Sequence, residues 1–461
     1  MIKLFKRYYP IRNIIFVFTE SIFIFLSIFT AVMLFDPGVN AAGKGYIFYN
    51  TLLITLICQV CIYYTNLYEI NIYNSLKALG VRLFMALIIA STFLGLLYMV
   101  LPGLIIKPEI FAIGVTIMVI MIGSTRFLYF WILKRGFFNQ RIIIIGESDL
   151  SKQIINEIEE RTDCGYQASY IVLDKDDSFN TKIPVIQKPD YSDLCDLAKK
   201  MGIKTIVVAI KEKRGNFPSK ELLRCRIEGI DILEGNSFYE MLSGKLVVNQ
   251  LYPSWLIFSS GFKKSLTKGF FKRIFDIVLS LLMLIISLPL MILVAILIKI
   301  ESKGPVFYSQ ERVGQNHKKY YIHKFRSMVD NAEETCGPQY ACENDHRITR
   351  IGHYLRKLRI DELPQLWNVL KGQMSFVGPR PERSVFVEEY EKEIPYYVER
   401  FSVKPGITGW AQICYQYGAN TEDTIEKLNY DLFYIKNMSV LMDIMIVLRT
   451  IKIVLFGTGA R

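Results

Sequence analysis

The chain has 461 residues, a formal net charge of +12 and a hydrophobic content of 51%. Its mean hydropathy of +0.27 is high for a water-soluble protein and indicates membrane segments. A large positive charge attracts nucleic acid, acidic lipid or phosphorylated substrates. Because long apolar segments accompany the charge and no zinc-finger or helix-turn-helix pattern is found, the composition argues against nucleic acid and favours lipid head groups and phosphates.

Four apolar segments near the start of the chain are long enough to cross a bilayer. They are Ile11–Phe35, Tyr46–Tyr64, Leu83–Leu101 and Ile110–Leu133. Lys and Arg residues cluster before the first segment, between the second and third, and after the fourth, so the positive-inside rule places both ends of this region in the cytoplasm. We predict a four-helix transmembrane domain over residues 1–136. Within it, Cys58 and Cys61 are more typical of packing residues than of a redox pair.

Residues 137–262 alternate short apolar segments with amphipathic ones, a pattern that predicts a doubly wound α/β domain. The predicted strands are Arg141–Gly146, Ala168–Leu173, Ile203–Ile210 and Ile230–Leu233, and the predicted helices are Leu150–Arg161, Asp190–Met201 and Ser219–Glu228. The first turn has Gly146 but lacks the other glycines of the dinucleotide fingerprint, and Glu147 and Asp149 would oppose a pyrophosphate. We expect a doubly wound α/β domain without NAD, in a scaffolding or regulatory role.

A fifth apolar segment, Ile274–Ile298, has cations at both ends and Pro289 in its middle. Proline removes a backbone hydrogen bond and favours a kink. These residues alone support two interpretations equally well. The segment is either an ordinary membrane span with a kink, or a re-entrant helix that bends at Leu288-Pro289 and returns to the cytoplasmic face. Three cations at its start, Lys268, Lys272 and Arg273, are predicted to meet lipid head groups.

Two adjacent carboxylates, Asp361 and Glu362, are the most informative feature of the chain. Asp361 is predicted to be the N-cap of a helix with Pro364 in its first turn and Gly372 as its left-handed C-cap. Four apolar residues at helical spacing are predicted to form the buried face of this helix: Leu363, Leu366, Trp367 and Leu370.

Cations are dense around this acidic pair in the sequence: Lys324, Arg326, Arg356, Arg359, Arg380 and Arg383. An acidic first turn is often only structural, but carboxylates at the positive end of a helix amid so many cations indicate a site for a phosphorylated substrate. Arg380 lies between two prolines, and a guanidinium on a restricted backbone is suited to holding phosphate. A zinc site of Cys336, Cys342 and His346 is disfavoured because the spacing is loose and a fourth ligand is missing.

From about Phe270 to Arg461 the chain resembles the monotopic phosphoglycosyl transferases, the bacterial polyprenyl-phosphate sugar-1-phosphate transferases that start surface-polysaccharide assembly. The matching motifs occur in family order: Phe271–Asp276, Lys324–Arg326, Asp361–Leu366, Asn368–Gly372, Gly378–Pro381 and Pro405–Trp410. The N-terminal half resembles the large form of the family, which has four membrane helices and a Rossmann-like domain. The segments Tyr415–Ala419 and Gly457–Arg461 are most similar to the branch linked to exopolysaccharide export and exosortase systems.

The resemblance implies a three-part fold: a membrane α-helical bundle, an α/β Rossmann-like domain, and an α-rich, membrane-associated catalytic domain over residues 263–461 with a re-entrant helix at 274–298. It implies transfer of a sugar 1-phosphate from a UDP-sugar to polyprenyl (undecaprenyl) phosphate, with release of UMP, at the cytoplasmic face of the bacterial inner membrane. Such an enzyme would initiate the synthesis of exopolysaccharide or another surface glycan.

The resemblance also implies roles for individual residues. Asp361 would attack phosphorus and form a covalent aspartyl sugar-phosphate, and Glu362 would orient the metal or handle a proton. Asp361 and Glu362 would both bind Mg²⁺. Four cations would hold the diphosphate: Lys324, Arg326, Arg356 and Arg380.

Two positions depart from the family pattern. Leu288 replaces the serine that usually precedes the proline of the re-entrant helix, and Gln416 replaces an arginine that many relatives carry, so we assign no substrate contact to Gln416. A membrane-anchored nucleotide-sugar dehydratase or epimerase is an alternative that would need an intact dinucleotide motif. A non-enzymatic scaffold of polysaccharide export is a second alternative. The sequence leaves open the sugar and whether the protein forms a homo-oligomer.

Overall fold

The structure is a computed structural model that describes residues 2–4, 7–9, 11–35, 41–65, 67–68, 76–101, 107–134, 139–161, 164–173, 181, 183–187, 191–210, 217–251, 253, 261–262, 266–329, 345, 347–415 and 420–456. The chain divides into two compact units, Met1–Phe238 and Tyr239–Arg461. Several positions discussed above lie outside the described residues: Cys336, Cys342, His346, Gln416 and the tail Gly457–Arg461.

The first unit contains four long apolar helices at the places where we predicted membrane segments. They are α1 (Ile11–Phe35), α2 (Ala41–Tyr64), α3 (Leu76–Val100) and α4 (Pro108–Lys134), and each is long and apolar enough to cross a membrane. A short antiparallel pair of strands that we did not predict, β1 (Ile2–Leu4) and β2 (Arg7–Tyr9), precedes them. As predicted, Cys58 and Cys61 are packing residues, because both are free thiols buried in the core of the helices.

A buried ion pair joins α1 to α4. The Nε atom of Arg126 donates to Oε1 of Glu20 over 2.9 Å, and Nη1 of Arg126 donates to the carbonyl of Leu67. The guanidinium also lies 5.5 Å from the ring centre of Phe16 and 5.4 Å from that of Tyr68. Charges inside a membrane segment are costly unless they are paired, so this pair fixes how the two helices meet.

The remainder of the first unit is a parallel five-stranded sheet with helices. The strands β3 (Gln140–Ile145), β4 (Tyr166–Leu173), β5 (Val185–Gln187), β6 (Thr205–Val208) and β7 (Asp231–Glu234) lie in the order β5-β4-β3-β6-β7. The helices are α5 (Asp149–Glu160), α6 (Leu194–Lys200), α7 (Ser219–Ile227) and α8 (Gly235–Ser243), within which the second unit begins at Tyr239. The four predicted strands and three predicted helices are confirmed, and β5 and α8 were missed.

The glycine of the first βα turn has a packing role. Gly146 has φ +96°, and a Cβ on this residue would lie 2.7 Å from Cγ1 of Ile210 and 2.9 Å from its Cα. Glycine is therefore required by the backbone conformation and by the close approach of Ile210. The turn needs no bound phosphate to explain this glycine.

The second unit begins its long helical part with α9 (Leu266–Glu301), and a β-hairpin of β8 (Phe307–Val313) and β9 (Lys319–Phe325) follows. Next come α10 (Arg350–Lys357), a 3₁₀ turn (Ile360–Glu362), α11 (Gln365–Leu370), β10 (Ser375–Val377) and α12 (Ser384–Glu393). The unit ends with a 3₁₀ segment (Tyr397–Ser402), β11 (Gly406–Thr408, parallel to β10), α13 (Trp410–Cys414), α14 (Thr421–Asn437) and α15 (Val440–Phe456).

Helix α9 has Pro289 inside it and is apolar enough to cross a membrane. One face is buried along its length, at Asp276, Ser280, Ser287, Val294 and Ile298. Both ends touch the same folded unit. Asp276 accepts hydrogen bonds from Ser375 Oγ and Phe376 N of β10, whereas Val294 and Ile298 pack with Phe325 and Leu355.

We predict that Arg126→Met alone destabilises the first unit by about 3 kcal/mol, because it leaves the carboxylate of Glu20 buried without its partner. The double variant Glu20→Met/Arg126→Met should recover most of this loss, since no uncompensated charge remains. The thermal midpoint of the detergent-purified chain measures both effects. A single variant as stable as the double variant would contradict the expected role of the pair.

Candidate active site

The acidic pair lies in a turn that starts earlier than predicted. Arg359 has φ +55°, a left-handed conformation that is rare for a residue other than glycine, and it precedes the 3₁₀ turn Ile360–Glu362. Asp361 is therefore inside the 3₁₀ turn, and our prediction that it caps α11 is wrong. Helix α11 begins only at Gln365, after Pro364. The left-handed conformation of Gly372 after the helix, with φ +82°, is as predicted.

The buried face of α11 also differs from the prediction. Leu366 is buried as expected, but Trp367 is 52% exposed, and the other buried residues are Gln365, Asn368 and Val369. The reason is a polar contact that spacing alone does not show. Asn368 is completely buried, its Nδ2 donates to the carbonyl of Tyr321 over 2.7 Å, and its Oδ1 accepts from His323 N over 3.1 Å. These bonds join α11 to β9, the strand that carries Lys324.

Glu362 is held by two cations. Its Oε1 accepts from Nζ of Lys324 and from Nη2 of Arg380, each over 3.0 Å. Burial raises the pKa of Glu362, but the charges of Lys324, Arg380 and Arg359 outweigh burial, so that the pKa lies well below its ordinary value. Glu362 is therefore ionised at any physiological pH.

Asp361 has a different environment from its neighbour. The residue is only 8% exposed, and its carboxylate makes no hydrogen bond or ion pair within the described part of the chain. Burial, followed by the charge of Glu362, raises the pKa of Asp361 to about 6, against the opposing effect of Lys324, Arg356 and Arg380. Two neighbouring carboxyl groups thus differ strongly in proton affinity, which is typical of sites where carboxylates have separate chemical roles.

The structure brings three of the four predicted phosphate-binding cations to the acidic pair. Lys324 and Arg380 contact Glu362, and Arg356 in the last turn of α10 is close enough to affect the pKa of Asp361. The Nη1 atom of Arg356 is buried and has no hydrogen-bond partner among the described residues. Arg326 points elsewhere. Its Nη1 donates to the carbonyl of Lys303 and its Nη2 to Ser302, at the end of α9.

A small cleft beside Glu362 includes two residues that we did not predict, Arg312 and Gln365. Arg312 extends from β8, donates from Nη1 to the carbonyl of Pro381 over 3.2 Å, and donates from Nη2 to Oε1 of Gln310 over 2.7 Å. The sequence did not place Arg312 in this cleft, because the contact between β8 and the Arg380 loop depends on the tertiary fold.

The cations at the start of α9 also differ from the prediction. We expected Lys272 and Arg273 to meet lipid, but both bind protein groups. Lys272 Nζ donates to Oδ2 of Asp443 over 2.8 Å and to the carbonyl of Val377 over 3.0 Å. Arg273 donates to the carbonyls of Val369 and Leu370 over 2.7 and 2.8 Å, which caps the C-terminus of α11.

Asp361 and Glu362 could supply two carboxylate ligands to the predicted Mg²⁺, a small set of protein ligands that is typical of such a site. No group of three or more His, Cys, Asp or Glu side chains that could hold a metal is found among the described residues. Mg²⁺ at phosphoryl-transfer sites often takes one or two carboxylates and completes its shell with phosphate and water oxygens. Asp361 and Oε2 of Glu362 could supply these carboxylate oxygens, because Oε1 of Glu362 already accepts from two cations.

Comparison with known proteins gives one matching family and three informative relatives. Residues 267–457 match the family described as bacterial sugar transferase. The chain is 44% identical over 240 residues to a UDP-N-acetylgalactosamine-undecaprenyl-phosphate N-acetylgalactosaminephosphotransferase of Aeromonas hydrophila, covering 52% of this chain and 56% of that protein. It is 30% identical over 344 residues to the undecaprenyl-phosphate galactose phosphotransferase of Salmonella typhimurium strain LT2, covering 71% of this chain and 70% of that protein.

The third relative is a Bacillus subtilis protein named as a candidate undecaprenyl-phosphate N-acetylgalactosaminyl 1-phosphate transferase. The chain is 50% identical to it over 129 residues, covering 28% of this chain and 72% of that protein. The chain therefore belongs to the family of bacterial polyprenyl-phosphate sugar-1-phosphate transferases. This chain matches only about half of the length of the Aeromonas hydrophila protein, 56% of its residues.

We predict that Asp361→Asn raises the stability of the folded chain at neutral pH. The folded-state pKa of Asp361, about 6, lies above the ordinary aspartate value of about 3.9, so the ionised carboxylate destabilises the fold above pH 6 and this cost disappears as the pH falls toward 4. The expected gain is about 3 kcal/mol at pH 8, since each pKa unit corresponds to about 1.4 kcal/mol. The thermal midpoints of both proteins between pH 4.5 and 8 measure it.

Glu362→Gln is the matched control, because it removes a carboxylate whose pKa is lowered by its cations. This change should reduce stability at neutral pH, since the folded state then loses an ionised partner of Lys324 and Arg380. A lower midpoint for Asp361→Asn than for the parent protein at pH 8 would contradict the assignment of Asp361 as the destabilised carboxylate.

Proposed function

We propose that this protein transfers a sugar 1-phosphate from a UDP-sugar to polyprenyl phosphate, with release of UMP, through a covalent intermediate on Asp361. The observation that carries this proposal is the contrast within the acidic pair. Asp361 is buried and unpaired among the described residues, while Glu362 is fixed by Lys324 and Arg380. The relatives' names support a sugar phosphotransferase acting on undecaprenyl phosphate.

In the first step, an oxygen of Asp361 attacks the sugar-bearing phosphorus of the UDP-sugar. A bond forms between this oxygen and phosphorus, the bond from phosphorus to the bridging oxygen breaks, and UMP leaves with the electron pair. The raised pKa of Asp361, about 6, leaves the carboxylate ionised at neutral pH and more nucleophilic than an ordinary aspartate. Lys324, Arg356 and Arg380, whose charges act on Asp361, would stabilise the charge that collects on the phosphate oxygens.

In the second step, an oxygen of the polyprenyl phosphate attacks the same phosphorus. The bond between phosphorus and Asp361 breaks, the carboxylate is restored, and the product is a polyprenyl diphosphate sugar. Splitting one transfer between two bulky anions into two displacements means that the two phosphorylated substrates need not react with each other directly.

Glu362 acts as a positioning residue in this mechanism. Because its pKa is strongly lowered, it does not take up a proton at neutral pH, and its function is to hold Lys324 and Arg380 beside Asp361. Mg²⁺ bound to Asp361 and Glu362 would neutralise charge on the phosphate oxygens.

Helix α9 supports a re-entrant position in the membrane. A straight helix of 36 residues is about 54 Å long, more than enough to carry its ends to opposite sides of a bilayer. Yet Asp276 near one end and Ile298 near the other both pack on the second unit, and Glu301 accepts from Ile351 N at the start of α10. With its outer face exposed and apolar, α9 would enter the membrane and leave on the same side.

The catalytic unit would then lie at the cytoplasmic face of the bacterial inner membrane, where UDP-sugars are made and where the positive-inside rule places the end of α4. The product is a lipid-linked sugar, so the reaction would initiate a surface glycan such as an exopolysaccharide. The relatives are named for different sugars, including N-acetylgalactosamine and galactose. Their names therefore do not identify the sugar that this chain would transfer.

We predict that wild-type protein incubated with the correct UDP-sugar and no lipid acceptor gains the mass of one sugar phosphate on the peptide that contains Asp361. A panel of UDP-N-acetylgalactosamine, UDP-N-acetylglucosamine, UDP-galactose and UDP-glucose identifies the donor by UMP release. Asp361→Asn should lose at least about 1,000-fold in kcat, because an amide cannot attack phosphorus. Near-normal turnover by this variant, or an adduct on another peptide, would rule out the covalent mechanism.

The topology of α9 can be tested with single cysteines at exposed positions on either side of its apolar part. In a background without the eight native cysteines, Phe270→Cys and Lys303→Cys should both resist a membrane-impermeant thiol reagent in intact cells. Gly103→Cys, which the sequence places on the opposite side, is the positive control and should be labelled. Labelling of Lys303→Cys without Phe270→Cys would show that α9 spans the membrane.

A further inference from the structure

The loop that carries Arg380 is fixed at four consecutive carbonyl groups. The carbonyl of Pro379 accepts from Gly406 N over 2.9 Å, and that of Glu382 accepts from Val313 N over 3.1 Å. Between them, the carbonyl of Arg380 accepts from Nη2 of Arg400 over 3.1 Å, and the carbonyl of Pro381 accepts from Nη1 of Arg312 over 3.2 Å. Each of these four carbonyls is thus held by a donor from another part of the unit.

Arg400 is itself buried in a polar cluster. Its Nη2 lies 3.0 Å from Oδ2 of Asp431, its Nη1 donates to the hydroxyl of Tyr397 over 2.6 Å, and its guanidinium lies 5.0 Å from the centre of the Tyr397 ring. All three residues are buried in the second unit. A buried ion pair of this kind adds little stability compared with apolar residues of similar size, because desolvation offsets the attraction. Apolar residues in place of the cluster could fill the same space, but they could not donate the hydrogen bond that Arg400 gives to the Arg380 carbonyl.

We propose that Arg400 is a positioning residue for phosphoryl transfer, which it supports by fixing the Arg380 peptide so that the Arg380 guanidinium stays on Glu362. Asp431 and Tyr397 orient Arg400 for this bond. The proposal rests on the proposed function. Arg400 acts only through Arg380: its two Nη atoms contact Tyr397, Asp431 and the Arg380 carbonyl, and none of its contacts described above is with Asp361 or Glu362.

The first experiment is a double-mutant cycle between this cluster and Arg380. The triple variant Arg400→Met/Asp431→Leu/Tyr397→Phe replaces the cluster with apolar residues of similar size, so no member of the cluster is left buried without its partner. We expect it to lower kcat/KM about 10- to 100-fold, as a small displacement of a positioned group can do. In a background with Arg380→Ala, the same three changes should lower kcat/KM by less than about threefold.

Lys436→Met/Glu240→Leu is the matched control. It removes another partly buried ion pair of the same unit, in which Lys436 Nζ lies 2.6 Å from Oε2 of Glu240, without touching the Arg380 loop. This control should keep kcat/KM within about threefold of the parent value. An equal loss in the control, or additive losses in the cycle, would overturn the proposal, because either result means that the cluster acts on overall stability or by another route.

A second readout does not depend on activity. Modification of Arg380 by phenylglyoxal, followed by peptide mass spectrometry, should be at least about fivefold faster in the triple variant, since the guanidinium leaves Glu362 more often. The rate at Arg226, an exposed residue of α7, should not change. An unchanged rate at Arg380 would overturn the proposal, whatever the activity.

The two readouts separate this proposal from the proposed function. Absence of UMP release by the parent protein with every UDP-sugar would contradict the function, and the phenylglyoxal rates would then decide the role of Arg400 alone. If the triple variant fails to fold, Arg400→Lys replaces it in both experiments. The lysine keeps a charge beside Asp431, but its ammonium lacks the planar fork that binds the carboxylate and the carbonyl together, so the same faster reaction at Arg380 is expected.

Discussion

The two hydrogen bonds that Oε1 of Glu362 accepts from Lys324 and Arg380 connect three separate parts of the second unit. Lys324 belongs to β9, Glu362 to the 3₁₀ turn before α11, and Arg380 to the loop after β10. Because Glu362 is ionised and paired with both cations, these elements have one favourable arrangement. Asp361, the preceding residue, lies within the influence of both cations, so its chemistry depends on this arrangement.

The long apolar helix α9 belongs to the same arrangement. Arg273 caps α11 at the end opposite Asp361 and Glu362, and Asp276 binds the start of β10, which leads to Arg380. Arg326, two residues after Lys324 in the sequence, binds the backbone at the end of α9. A helix suited to a membrane therefore also sets the positions of the two elements that meet at Glu362. This connection gives a physical reason why charged residues at the start of α9 contact protein and not lipid.

Much of the fold could be predicted because it depends on local patterns. Helices α1 to α4 could be predicted from the length of their apolar segments. Strands β3, β4, β6 and β7 could be predicted from short apolar segments that alternate with amphipathic ones. Strand β5, of three partly exposed residues, was missed because so short an edge strand has no clear pattern. Asp361 and Glu362, together with Lys324, Arg356 and Arg380, could be selected because their types and their motifs resemble those of a known family.

The sequence by itself therefore determined the membrane segments, the α/β alternation and the identity of the acidic pair. Only the tertiary structure decided that Arg359 starts the turn in a left-handed conformation, that Asn368 and not Trp367 faces inward, and that Arg326 leaves the site. It also decided that Asp361 and Glu362 have pKa values shifted in opposite directions. The physical reason is that burial and charge depend on residues that are far apart in the sequence, such as Asp276 and Phe376, which are 100 positions apart. Periodicity and capping signals extend over only a few residues.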